Sequence, residues 1–511
     1  MPAGTITVTA RLPGALSPEG RARDLADLPG SAVDVVVVGG GVTGTGVALD
    51  AASRGLSVVL LERADLASGT SRWSSKLVHG GLRYLAHGEI GLARESARER
   101  AVLMGTTAPH LVRRLPFLVP DVAGRDVTAL AEAGGRAADL IRLSVPGGAG
   151  SLPPTRRVRS EEVSRLVPGV RPGRGGVVFW DGQLVDDARL VVALARTAAA
   201  YGARVLTGAT VTGVDGNDVH VDVDNSGPVT IRAGVVVNAA GVWAQRLAPS
   251  IRLVPSRGSH LVVPGQLLGS PSAALTVPLP GSRSRYVFAL PQADGLVYLG
   301  LTDEPVDGPV PDDDPVPTDA EVRQLLDTVN QVLAVPLTAG DLVGSYAGLR
   351  PLVLPASAGT GPGDATADLS RKHLLAWDGP VLTVVGGKLT TYRAMAEETV
   401  DAVVARMGVG GPCLTRRIPL LGAAPRPVLA RLAAPERLVA RYGTEAPVVE
   451  SLGTALVIAG RPETEGELRF AVRFEGARTV SDLLDRRTRI GLVPADRARA
   501  VATAERILAE A

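Results

Sequence analysis

The sequence predicts an α/β protein: a parallel sheet covered by helices, interrupted by an inserted antiparallel sheet and followed by a helical region. Three observations carry this expectation. The β-branched run at 33–38 leads through a glycine turn into a small-residue helical pattern, and a second apolar strand follows at 56–61. Residues 251–350 are rich in short alternating runs set off by turn signals. From about Cys413 onward, apolar and charged residues recur at helical spacing.

Taken in order, residues 1–30 are rich in Pro, Gly and Ala and read as a loose leader. They lack a basic stretch followed by an unbroken apolar one, so secretion is not expected. A charged helix is predicted around 91–105 and another over 185–201, then strands at 205–214, 219–223 and 229–237. Strands at 258–263, 285–290 and 296–300 belong to the inserted sheet, and 311–317, with three aspartates, reads as a solvated loop. The strand at 381–385, with Gly386-Gly387-Lys388 behind it, repeats the strand, glycine, helix punctuation and returns the chain to the first sheet. Helical spacing over 467–490 and 495–508 marks the end region as a separate unit.

A chain of 511 residues, 45% apolar and 21% charged with a mean hydropathy of +0.19, buries a large core in two to four units and is not disordered. Its net charge of +2 gives no whole-molecule field for nucleic acid. A single cysteine, Cys413, excludes an internal disulfide, a multi-cysteine zinc site and a cysteine-ligated cluster, and fits a reducing cytoplasm. No metal is expected. Apolar runs are too short to span a bilayer, so any membrane contact must be peripheral. Of 54 basic residues only Lys76, Lys372 and Lys388 are lysine, so a lysine here invites a reason beyond charge.

Gly39-x-Gly41-x-x-Gly44 lies between the first strand and its helix, and Glu62 closes the next strand 21 residues after Gly41. The glycines permit a tight turn and close approach of a pyrophosphate to the helix N-terminus, whose unpaired N–H groups and dipole favour anions. Glu62 can accept bonds from ribose hydroxyls and argues against a 2′-phosphate. The turn by itself does not separate NAD from FAD.

Downstream, Thr70-Ser71-Arg72-Trp73-Ser74-Ser75-Lys76-Leu77-Val78-His79-Gly80-Gly81-Leu82-Arg83-Tyr84-Leu85 resembles the flavin- and substrate-facing segment of the FAD-dependent glycerol-3-phosphate dehydrogenases. Further segments agree in order: Val185-Asp186-Asp187-Ala188-Arg189-Leu190, Asn238-Ala239-Ala240-Gly241, the stretches at 258–264 and 346–352, Gly386-Gly387-Lys388-Leu389-Thr390-Thr391, and the cap-like 480–489. The resemblance covers about 33–510. It implies a glutathione-reductase-like, Rossmann-type FAD-binding domain built from 31–100, 181–250 and 351–410. To this it adds a variable substrate-facing segment at 101–180, an inserted antiparallel substrate domain at 251–350 and a helical cap at 411–511. The implied reaction is oxidation of sn-glycerol 3-phosphate to dihydroxyacetone phosphate, with electrons passing from reduced FAD to a membrane quinone, in glycerol catabolism and respiration. The implied location is cytoplasmic, peripheral to the inner face of the plasma membrane, and a homodimer is among the assemblies it admits.

Removing a hydride from a secondary alcohol requires a group that takes the hydroxyl proton and positive charge for a phosphate dianion. The resemblance, with these needs, marks His79, Lys388 and Arg350 as catalytic and Arg83, Tyr84, Arg350 and Arg371 as substrate-binding. It marks Gly39, Gly41, Gly44, Glu62, Arg63, Thr70, Ser74, Ser75, Leu77, Gly80, Gly81, Ala240, Gly241, Gly387, Lys388, Leu389 and Thr390 as FAD contacts. Gln292 and Leu301 depart from the family's pattern and put the pocket walls in question. The FAD is expected to be non-covalent, since Cys413 lies outside the FAD segments. Arg113-Arg114-Leu115-Pro116-Phe117-Leu118 and Arg416-Arg417-Ile418-Pro419-Leu420-Leu421 are the candidate membrane surfaces. Other readings are an oxidase handing electrons from the same substrate to oxygen, an amino-acid or amine oxidase with fewer cations, and a catalytically silent flavoprotein. The cation set His79, Arg83, Arg350 and Lys388 argues against silence, because burying unpaired charge without a ligand is costly.

Overall fold

The computed structural model of the chain describes residues 12–81, 88–224, 227–282, 285–354 and 373–510. Ala32–Val38 lies at the heart of the first sheet, parallel to Val58–Glu62 on one side and to Gly227–Asn238 on the other. Arg204–Thr207 extends one flank in parallel, Val381–Gly386 extends the other, and His373–Asp378 closes that edge antiparallel. A parallel strand covered on both faces must be apolar throughout, which is why Val35, Val36 and Val37 run without alternation and are fully buried. Helices Val42–Ser53, Asp187–Ala200 and Tyr392–Met407 cover one face. The hairpin Ala209–Asp215 and Asp218–Val223 packs on the other, with Leu28 beneath it.

Three expectations change here. Residues 12–30 are folded rather than loose. Ser17 caps the helix Pro18–Ala26 by accepting from the Gly20 N–H, Leu28 is buried, and the Leu16 N–H donates to the Phe474 carbonyl at 3.0 Å. The strand predicted at 205–214 breaks at Gly208, where φ is +62°, so Arg204–Thr207 stays in the parallel sheet while Ala209–Asp215 leaves it. The helical spacing at 467–490 holds for Glu465–Phe474 and then stops at Gly476, φ +70°, before a π-helical turn at Asp482–Arg487.

The second sheet is centred on Leu253–Pro264, flanked by Gly344–Val353 and Leu296–Gly300. It continues through Tyr286–Pro291 and Ala274–Pro278, then recruits Val112–Pro120, Gly175–Leu184 and Leu77–Val78 from far upstream. The joint between Ala274–Pro278 and Val112–Pro120 is parallel, a departure from the all-antiparallel expectation. Val112–Pro120 joins there through Phe117 and Leu118 while its other side pairs antiparallel with Gly175–Leu184. Leu115, Phe117 and Leu118 are therefore buried, as are Ile418 and Leu420, so neither arginine-rich segment proposed for the membrane offers an apolar surface. Helix Asp319–Asn330, started by a Thr318/Glu321 capping box, covers the sheet with Leu325 and Val329.

The C-terminal helices Glu465–Phe474 and Pro494–Ala509 share a core of their own. They are joined to the rest by buried ion pairs: Arg189 with Glu475, Arg196 with Glu445, and Arg486 and Arg487 with Asp65.

Candidate functional site

A cleft of about 740 Å³ runs between the two sheets, from the first glycine turn to the Gly386-Gly387-Lys388 turn and Arg350. At its nucleotide end Gly39 has φ +112°, and a Cβ there would stand 2.6 Å from the Ala239 carbonyl oxygen. A Cβ on Gly44 would stand 1.9 Å from the Gly39 oxygen, so this glycine lets the helix close on the turn without itself entering the wall. Glu62 is buried. Its carboxylate accepts from the Gly40 N–H at 2.6 Å, the Ala64 N–H at 2.9 Å and the Ser68 hydroxyl at 3.2 Å. Burial pushes its carboxyl up, and those three bonds oppose the shift. A turn with no room for a side chain at Gly39 or Gly44, a helix N-terminus whose Val42 N–H donates to the Ser71 hydroxyl at 2.9 Å, and a fixed carboxylate beyond it suit a pyrophosphate and a ribose, so the residues fit FAD.

Most of the remaining expected contacts also face this cleft. Arg63, Thr70, Ser74, Ser75, Leu77, His79, Ala240, Gly241, Arg350, Gly387, Lys388, Leu389 and Thr390 line it. Gly80 and Gly81 do not; Gly80 gives its N–H to Asp181, and Gly81 takes φ +80°. Arg83, Tyr84 and Arg371 lie outside the described residues. Lys388 follows two positive-φ glycines and caps the short turn Leu389–Thr391, and its Nζ lies 3.2 Å from the Ser96 hydroxyl.

Arg350 is held rather than merely present. Its guanidinium donates to Asp303 at 3.0 Å and to the Thr302 carbonyl at 3.2 Å. A Cβ on Gly258 would come within 2.1 Å of it. Leu301 lines the cleft, whereas Gln292 faces away from it, donating to the Leu290 carbonyl and accepting from Arg489 at 3.3 Å. Of the two family departures, only Leu301 alters the wall. The aspartate loop is solvent-exposed, as expected, and also tethered: Asp312 bridges Arg63 and Arg246, and Asp314 accepts from Arg72 and the Trp73 indole.

Several residues that shape the site were not among those expected. His260 lines the cleft, stacks on Tyr346 at 4.6 Å and lies 2.8 Å from the Ser75 hydroxyl. Burial, with Lys76 and Arg350 nearby, holds its imidazole well below its ordinary pKa, so it is neutral at pH 7. Lys76 is buried against Asp187 at 3.0 Å and donates to the Arg72 and Ser74 carbonyls. Burial lowers its pKa and Asp187 opposes this. The scarcity of lysine was a signal for Lys76; for His260 the signal was its place in the 258–264 segment. Among the described residues no group of His, Cys, Asp and Glu is arranged to hold a metal ion.

Residues 34–401 match the family described as FAD dependent oxidoreductase, and 413–510 match the C-terminal domain of alpha-glycerophosphate oxidase. The chain is 49% identical to glycerol-3-phosphate dehydrogenase 1 of Mycobacterium tuberculosis, over 97% of this chain and 98% of that protein. To glycerol-3-phosphate dehydrogenase 2 of the same organism it is 38% identical, over 94% and 84% respectively. The crystal structure of the glycerol-3-phosphate dehydrogenase from Bacillus halodurans, complexed with FAD, superposes with a TM-score of 0.68 at 26% identity, covering 96% of each chain. A cleft built for FAD, a family match over most of its length and relatives this similar make the chain an FAD-dependent oxidoreductase, and it belongs to the glycerol-3-phosphate dehydrogenase family.

Proposed function

We propose that the protein oxidises sn-glycerol 3-phosphate to dihydroxyacetone phosphate and passes the electrons to a membrane quinone, serving glycerol catabolism and respiration. The observation that carries this reading is the convergence of His79, Arg350 and Lys388, from three separate segments, on the cleft that begins at the nucleotide turn. Bound FAD supplies the two-electron acceptor for the C2 hydride. His79 takes the hydroxyl proton, and Lys388 offers a compact ammonium to the developing negative charge on the C2 oxygen. Arg350, its plane fixed by Asp303 and Thr302, binds the phosphate dianion together with Arg83 and Arg371. In this reading 31–100, 181–250 and 351–410 hold FAD, 251–350 forms the substrate domain with help from 101–180, and 411–511 caps the assembly.

A quinone acceptor needs a route to lipid. No helix among the described residues is long and apolar enough to cross a membrane. The helix Arg125–Leu143 turns Leu130, Ala131, Gly134 and Ala137 toward the cleft. Leu130, Leu140 and Leu143 are 49%, 70% and 55% exposed on it, with exposed Arg125 and Arg136 on the same helix. This supports peripheral contact at the inner face of the plasma membrane through that helix, in place of the two buried arginine-rich segments. Anaerobic addition of glycerol 3-phosphate should bleach the flavin band, and a soluble quinone should restore it faster than air-saturated buffer does. A band bleached by amino acids instead would sink the proposal, and faster recovery with oxygen would make the protein an oxidase.

A further inference from the structure

We propose that helix Ile90–Val102 is a positioning element: Ser96, Glu99 and Arg100, from one face of it, fix Lys388 and His79 relative to one another across the cleft. This rests on the roles given to those two residues above.

The sequence marks this helix only as charged, yet Ser96, Glu99 and Arg100 are all buried. Their i, i+3, i+4 spacing puts them side by side. Each reaches a different part of the site. Ser96 lies 3.2 Å from the Lys388 ammonium. Glu99 receives a two-pronged bond from Arg393, Nε at 2.6 Å and Nη2 at 2.7 Å, and Arg393 opens the helix into which the Lys388 turn runs. Arg100 pairs with Asp181, and both oxygens of that carboxylate accept the Gly80 N–H at 3.1 Å.

Gly80 follows His79 directly. A Cβ on Gly80 would stand 2.4 Å from the Arg100 guanidinium, so the glycine allows the cation to lie flat against the backbone. On the other side of His79, Val78 is registered with Gly182, the neighbour of Asp181 in its strand. His79 is thus pinned between a strand pairing and a carboxylate that Arg100 holds. Charge-assisted bonds are directional, and three of them drawn from one helix, the Arg393–Glu99 and Arg100–Asp181 pairs buried and the Lys388–Ser96 bond half-buried, leave the two reacting ends little freedom to separate. Misplacement of such groups by about 1 Å costs on the order of a hundredfold in rate.

A purely structural role would lower stability without linking these residues to particular partners, so the test is a pair of double-mutant cycles on FAD-loaded enzyme. Flavin reduction by glycerol 3-phosphate is followed anaerobically in stopped flow. Arg100→Lys should slow reduction by about tenfold or more, with substrate affinity within about twofold, and should add nothing in a His79→Ala background. Ser96→Ala should slow it several-fold and add nothing when Lys388 is already Ala. Because the chain has three lysines, 13Cε-lysine-labelled holoenzyme gives a spectrum in which the Lys388 signal can be assigned by its loss in Lys388→Ala. That signal should move in Ser96→Ala. Independent losses in both cycles, wild-type rates in the single variants, or a Lys388 signal that does not move would each overturn the proposal. If Arg100→Lys yields no holoenzyme, the Ser96 cycle and the spectrum decide it. Wild-type flavin that glycerol 3-phosphate fails to reduce overturns the functional reading, whereas the Ser96 shift still reports on the positioning contact.

Discussion

At Gly258 a single methyl group would collide with the Arg350 guanidinium, 2.1 Å away. Gly258→Ala should therefore displace Arg350 and raise KM for glycerol 3-phosphate about tenfold, with FAD content unchanged, because a phosphate contact exists in the ground state too. Steady-state kinetics with absorbance-matched holoenzyme checks this. Lys388→Arg keeps the charge but changes its shape, and should lower kcat far more than it changes KM; wild-type turnover would show that any cation suffices there. His110 is held down to about 3 by burial and by the Arg189 charge. The unfolded chain protonates this histidine below about 6.5 and the folded one does not, so the unfolded state binds more protons between these limits and stability falls with falling pH, by about 1.4 kcal/mol per unit. Urea unfolding at pH 7 and pH 5 should show the drop, and His110→Asn should reduce it. The glycine turn and Glu62 were legible in the sequence because their constraint is local. Asp303 beside Arg350 was not, since that pairing exists only once Ser256 and Arg350 are in register across two strands.

Among the elements, the first sheet was the easiest to read, because doubly covered parallel strands must be continuously apolar. The second sheet was harder: its strands Val112–Pro120 and Gly175–Leu184 are set by partners far away in sequence, and no local pattern names a partner. The helix Pro18–Ala26 was missed because its apolar content is low and its anchors, Leu16 and Leu28, lie outside it. The cap motif at 480–489 is an electrostatic latch in which Asp65 accepts Arg486 Nε at 2.7 Å and two nitrogens of Arg487 at 2.8 Å. Asp65→Asn removes the carboxylate that both buried guanidiniums share, leaving Arg486 with Asp482 and Arg487 with only the Glu475 carbonyl, and should cost about 3 kcal/mol. A Tm within a degree of wild type would contradict this.

At the scale of the whole molecule, the proposed membrane contact rests on one helix, Arg125–Leu143, which carries the exposed Leu130, Leu140 and Leu143 and also lines the cleft through Leu130, Ala131, Gly134 and Ala137. Wild-type protein should sediment with vesicles containing anionic lipid, and Leu140→Asp with Leu143→Asp should abolish this while leaving flavin reduction in solution intact. Protein that sediments equally well with both substitutions would move the contact elsewhere. Cys413 does not line the cleft, and both burial and the Asp50 carboxylate push its thiol up, so acid precipitation should release all of the FAD into the supernatant.

The first sheet also imposes a timetable on the nascent chain. Ala32–Val38 leaves the ribosome with one flank bare until Gly227–Asn238 arrives, and Val381–Gly386 comes later still. At about 5–20 residues per second that first wait lasts on the order of ten seconds, with a valine edge open to solvent. The wall that carries Lys388 is completed after every other part of the cleft. FAD therefore has no closed site to occupy while most of the chain is being made, and chains arrested before residue 373 should fail to retain it. Flavin capture therefore waits until the Lys388 turn has been made, so the supply of FAD from that point on bears on how much new polypeptide survives as enzyme.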